Sequence, residues 1–146
     1  MQTVAIIFRL AVALWLGGAA LFTFVLTPII FRSYDRDMAG QVVGFLFPAY
    51  FRWGLGCGLA GLAALLLLRG RHFLPMLIIV IVMLALTSLG AFYIEPRAAE
   101  LKKEIPSFVT TPKDHPLRKE FSRLHGISAV ANLLVIGGGV ALVILL

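Results

Sequence analysis

Four long apolar stretches alternate with short polar ones along the chain. They run over residues 4–31, 47–68, 73–94 and 121–146. A membrane helix needs about 20 apolar residues, so each stretch predicts one transmembrane helix. At 1.5 Å per residue the first spans roughly 42 Å, longer than a hydrocarbon core of about 30 Å, so it tilts or protrudes. Arg9 lies near one end of it and can snorkel to the headgroups. Pro28 is expected to bend its last turn.

The polar breaks divide these segments. Arg32 to Asp37 forms one short loop, and Arg69-Gly70-Arg71-His72 forms a tight basic turn. Residues 39–50 are apolar but carry Gly40, Gly44 and Pro48, which predicts an interfacial helix or the early part of segment two. Glu95-Pro96-Arg97 is expected to end segment three, with Pro96 opening a short helix over about 97–104. Residues 96–120 form the one long connection, with Pro106, Pro112 and Pro116.

Composition strengthens this reading. Of 146 residues, 60% are hydrophobic and only 14% charged, well below the usual quarter of a soluble domain. Mean hydropathy is +0.98. The expected fold class is all-α: one domain, an integral membrane bundle of four transmembrane helices. The competing reading of the N-terminus as a signal peptide fails on length, on Arg9 within the run and on the lack of a basic region before it.

A net charge of +6 would suggest nucleic acid in a soluble protein. Here it points to a lipid bilayer with anionic headgroups, and no nucleic-acid partner is expected. With four spans, one side carries Arg9, Arg69 and Arg71. The other carries Arg32, Arg36, Arg97, Lys102, Lys103, Lys113, Arg118, Lys119 and Arg123. The positive-inside rule then places both termini outside and the long loop in the cytoplasm, in a bacterial inner membrane. Cys57 is the single cysteine, so no intrachain disulfide forms.

The candidate chemistry sits at the start of segment four. His125, Ser128 and Asn132 stand at i, i+3 and i+7 and share one helix face. A polar stripe entering a membrane helix is costly unless it meets protein, water or a ligand. The topology brings Arg52, Glu95, Arg97 and His125 to similar depth, with Asn132 about two turns deeper. These six are the candidate ligand-binding residues, with Glu95 paired to Arg52 or Arg97. Gly17, Gly18, Gly54, Gly58 and Gly61 predict close helix packing, Gly54 and Gly58 as a GxxxG pair.

No metal or cofactor is expected. His72, His115 and His125 have no ligand spacing. His125 is the only histidine placed inside the membrane, against a bis-histidine haem within one chain. No phosphate-loop, nucleophile-elbow or zinc-hydrolase pattern occurs, so catalysis is not the expected role.

Four motifs occur in order: Phe31-Arg32-Ser33; Phe47-Pro48-Ala49-Tyr50-Phe51; Glu95-Pro96-Arg97; and Phe121 with Leu124-His125-Gly126-Ile127-Ser128 and Asn132-Leu133. Together they resemble the four-helix family of human transmembrane protein 205, known in bacteria as a domain of unknown function. The resemblance implies a four-helix membrane protein. The animal member's link to platinum-drug resistance hints at transport or vesicle traffic, and no accepted biochemical activity comes with the family. Trp15-Leu16-Gly17-Gly18 also resembles the start of copper-resistance and haem-pathway membrane proteins. Those rely on intramembrane histidines, and segment one has none.

The functional expectation is a non-enzymatic membrane protein that binds or transports a small polar or ionic ligand at a cytoplasmic-end pocket. One alternative is an accessory or oligomerising subunit, in a homo-oligomer or a larger membrane complex. Another is a redox protein holding haem or quinone through His125.

Overall fold

In the computed structural model, which describes residues 1–146, every apolar stretch is helical and every helix outruns the stretch that marked it. The four are α1 (Gln2–Ser33), α2 (Arg36–Leu68), α3 (Phe73–Glu104) and α4 (Pro116–Leu145). Each is long and apolar enough to cross a membrane. The protein is an all-helical, four-span membrane bundle.

Three local devices explain the extra length. First, α1 and α3 each contain one wide π-turn, at Phe22–Leu26 and Gly90–Ile94. Each ends two residues before a proline, Pro28 or Pro96. A proline lacks an N–H and its ring crowds the carbonyl one turn back. Widening the preceding turn lets the helix pass the proline unbroken. Segment three therefore does not end at Glu95: the helix expected over 97–104 is its continuation, and the long connection shrinks to residues 105–115.

Second, α2 runs straight through Pro48, so residues 39–50 are its first turns and not a separate interfacial helix. Neighbouring helices compensate for a proline inside a membrane helix. Here the rings of Phe22, Phe47, Tyr50 and Phe51, on the turns next to the exposed Pro48, pack on one another. Third, Asp35 caps α2 by accepting a 2.9 Å hydrogen bond from the Met38 amide, which starts the helix well before the apolar run.

The helices form a square. α1 packs on α2 and α4, and α3 packs on the same two, while the backbones of the diagonal pairs stay apart. The main core lies toward the end holding the termini and the 69–72 turn. It includes Phe8, Trp15, Leu65, Val80, Met83 and Leu142. A smaller core of Ile94, Leu101 and Leu124 lies toward the other end, here termed the loop end. Large apolar side chains such as Leu67, Phe92 and Ile144 point outward, as lipid contact requires.

Glycines let the helices close. Trp15 of α1 lies over Gly54 and Gly58 of α2, and Trp53 of α2 lies over Gly18 of α1. The Trp53 indole N–H also donates to the Leu14 carbonyl at 3.1 Å. Gly61 meets Ala11 and Phe8 in ordinary contact, whereas Gly17 faces open space and packs against nothing.

Candidate functional site

Between the two cores the helices leave a partly open cavity of about 200 Å³. Each wall is a stripe of one helix. Phe47, Tyr50, Phe51 and Gly54 of α2 recur at i, i+3, i+4 and i+7, the repeat of one helical face. Trp15, Phe22 and Thr23 come from α1, Thr87 and Gly90 from α3, and His125, Ser128 and Asn132 from α4. The position of Gly90 is forced by Phe51, because a Cβ there would stand 2.6 Å from the Phe51 ring.

A hydrogen-bonded chain crosses this space. The Tyr50 hydroxyl donates to the Asn132 side-chain carbonyl. The Asn132 amide in turn donates to Thr23 Oγ1 at 2.6 Å. Three helices are thereby tied through one half-buried asparagine, whose amide needs such partners within a membrane bundle. Tyr50 also stacks on Phe22, ring centres 4.4 Å apart. Thr87 satisfies itself by donating to the Met83 carbonyl at 2.8 Å. His125 and Ser128 form no side-chain hydrogen bond within the protein; His125 is exposed and stacks on Phe121, ring centres 6.5 Å apart.

Replacing Asn132 with leucine should therefore cost about 1–2 kcal/mol, since membrane side-chain bonds average about 0.6 and reach about 1.7 kcal/mol each. Tyr50→Phe removes one bond and should cost less. Unfolding titrations in mixed detergent micelles measure both. An Asn132→Leu protein as stable as the parent would remove the chain from the account of the fold.

The six residues singled out by sequence divide in the structure. His125, Ser128 and Asn132 share the cavity. Glu95 lies beside it, in a cleft of about 40 Å³ that also touches His125 and Ser128. Arg97 turns away and bridges Glu100 at 3.2 Å and Glu120 at 2.9 Å, clipping α3 to α4. Arg52 is exposed, donates to the Pro48 carbonyl at 3.0 Å, and lines neither the cavity nor the cleft. The expected pairing of Glu95 with Arg52 or Arg97 does not form, because Arg97 finds carboxylates on its own face and Arg52 bonds to its own helix.

Thr23, Tyr50 and the aromatic walls were not among the residues expected. The 47-50-51-54 repeat was a visible signal for the α2 wall. Thr23 carried none, since one threonine in an apolar run is ordinary.

No three histidine, cysteine, aspartate or glutamate side chains converge anywhere in the chain. His115 is occupied at the start of α4, where Nδ1 accepts from the Leu117 amide at 3.2 Å. His72 lies at the opposite end of the bundle. His72 therefore cannot join His125 on one ligand, and the Nδ1 of His115 is already engaged.

Residues 10–107 match the family described as Domain of unknown function (DUF4149). That match covers the cavity walls from α1, α2 and α3 and stops before α4. A protein of Aquifex aeolicus (strain VF5), described as uncharacterized, is 32% identical over 137 residues, covering 88% of this chain and 87% of the relative. No solved structure matches the chain.

Proposed function

The chain belongs to the DUF4149 family, and from that premise we propose that it is a non-enzymatic ligand-binding protein of the bacterial inner membrane. One observation carries the reading: an aromatic-walled cavity between the spans presents His125 and Ser128 without hydrogen-bond partners beside a satisfied Thr23–Asn132–Tyr50 chain. Such a cavity, mostly apolar with a few convergent polar groups, is the usual form of a small-molecule site. At about 200 Å³ it is smaller than the roughly 300–1,000 Å³ of drug-sized pockets. It suits a small polar molecule or one end of a longer one. No hydrogen-bonded nucleophile and base stand together in it, which favours binding or passage over catalysis.

The proposed orientation has both termini outside and residues 105–115 in the cytoplasm, on the excess of basic residues at the loop end. We also propose kinship with the wider family of human transmembrane protein 205, a reading supported by the four motifs that occur in order along the chain. Gly54 and Gly58 are not open to an assembling partner, because Trp15 of the same chain covers them. A partner would have to use other surface.

Native mass spectrometry of the protein released from its own membrane tests the reading. The parent protein should carry a discrete small-molecule adduct. Ser128→Trp, which fills the cavity, should lose that adduct while keeping the melting temperature. A parent protein without adduct, or an adduct that survives the substitution, would defeat the proposal.

A further inference from the structure

A second cavity, about 380 Å³, lies at the loop end beneath Phe108 of the 105–115 connection. Its charged lining is Arg36 of α2, Lys102 of α3 and Arg118 of α4, with His125 on the side it shares with the inner cavity. No carboxylate lines it. Two of these cations are withdrawn from solvent: Arg118 is 8% exposed and Lys102 is half-buried.

The protein holds each of them by one carbonyl. Lys102 Nζ donates to Gly40 at 3.0 Å, and Arg118 Nη1 donates to Thr111 at 2.8 Å. The Arg118 guanidinium also lies 5.5 Å from the Phe108 ring centre. An ammonium has three donors and a guanidinium five, so most donors remain uncommitted. The neighbouring carboxylates, Asp37 near Arg118 and Glu95 near Lys102, form no salt bridge with these cations. Asp37 accepts from Ser107 Oγ at 2.5 Å and from the Phe108 amide at 2.6 Å. Glu95 meets Lys102 only in the small cleft beside the inner cavity.

Cations held in a concave, aromatic-lined space without a lining carboxylate are costly unless an anion joins them. Three converging from three helices suit an anion with several oxygens and dispersed charge. Basic pockets between spans on the cytoplasmic side are a known form of phosphate-headgroup site. We propose that Arg36, Lys102 and Arg118 bind a phosphate group, either the headgroup phosphate of an anionic lipid or free phosphate. The two cavities share Thr27, Phe47 and His125. A lipid would set its phosphate among the cations and a chain along the aromatic walls, whereas free phosphate would use the outer cavity alone. The phosphate site stands on its own lining, and only its lipid form rests on the inner cavity holding a ligand.

The test is native mass spectrometry of the whole protein in neutral detergent, with two probes. One is phosphatidylglycerol offered with an equal amount of phosphatidylcholine, and the other is inorganic phosphate. The parent protein should retain one phosphatidylglycerol in preference to phosphatidylcholine, or retain phosphate with no lipid preference. Lipid that excess phosphate does not displace identifies the headgroup as the source, and retained phosphate without lipid preference identifies the free anion.

Arg36→Gln and Lys102→Gln should each weaken retention about tenfold, the scale of one charge-assisted bond. Arg52→Gln, outside the cavity, should leave it unchanged. Arg36 is exposed and makes no side-chain hydrogen bond, so its substitution leaves the bundle intact where Lys102→Gln disturbs it. Failure to retain either probe, or retention indifferent to both substitutions, overturns the proposal. Phosphate binding without any inner-cavity adduct would defeat the proposed function and leave this site standing.

Discussion

Gly58→Leu is expected to prevent the bundle from closing. A Cβ at residue 58 would lie 2.5 Å from a Leu84 methyl carbon and 2.7 and 2.8 Å from two ring carbons of Trp15. Trp15 is itself buried in the main core, so it has nowhere to move. Adding a few methylenes to a packed core costs about 1–3 kcal/mol. A leucine driven into an indole should exceed that range and leave little folded protein.

Gly56→Leu is the control. Residue 56 has no atom within 4 Å of a new Cβ, so this change should be nearly neutral. Trp15→Ala alone should cost about 3–5 kcal/mol by opening a hole. Combined with Gly58→Leu it should cost much less than the sum, because the leucine then occupies the space the indole left. Recovery of monodisperse protein after heating reads all four variants. Additive losses in the double variant would show that Trp15 and Gly58 are not the contact that closes α1 on α2.

Asp37→Ala should release the connection over residues 105–115 while the four spans stay folded. Both carboxylate oxygens of Asp37 are engaged with this segment, one by Ser107 Oγ and one by the Phe108 amide. Ser107 Oγ in turn accepts from the Val109 amide at 3.1 Å. Removing the carboxylate strands these donors together. Hydrogen bonds to an ionised group are the stronger kind, so exchange at the Phe108 amide should rise by on the order of tenfold or more. Cleavage by trypsin at Lys113 should quicken in parallel. Arg118 would still hold the Thr111 carbonyl, so the far half of the connection should loosen less. Unchanged exchange at Phe108 would mean that the Phe108–Phe121 edge contact, ring centres 4.8 Å apart, anchors the segment without help from Asp37.

These outcomes bear on how much was legible beforehand. The spans were, because an apolar run of that length has no other stable solution in a chain this poor in charge. Their ends were not. Hydropathy loses the helix once charged residues enter it, although Asp35 caps α2 before the apolar run begins and the two π-turns carry α1 and α3 past Pro28 and Pro96. The polar stripe of α4 was legible as a stripe, since residues at i, i+3 and i+7 share a face whatever surrounds them. Its partners were not. Thr23 lies 109 positions from Asn132, and Tyr50 lies 82.

Sequence by itself determined the class, the number of spans and the face on which His125, Ser128 and Asn132 lie. All of these are properties of one helix at a time. Only the tertiary structure decided that Arg97 clips α3 to α4, that Arg52 turns outward, and that Arg36, Lys102 and Arg118 converge. Which side chains meet depends on how each helix is rotated about its axis. For α1 and α2 that rotation is set where Trp15 and Trp53 lie over glycines of the opposite helix, a contact between distant positions that no local pattern encodes.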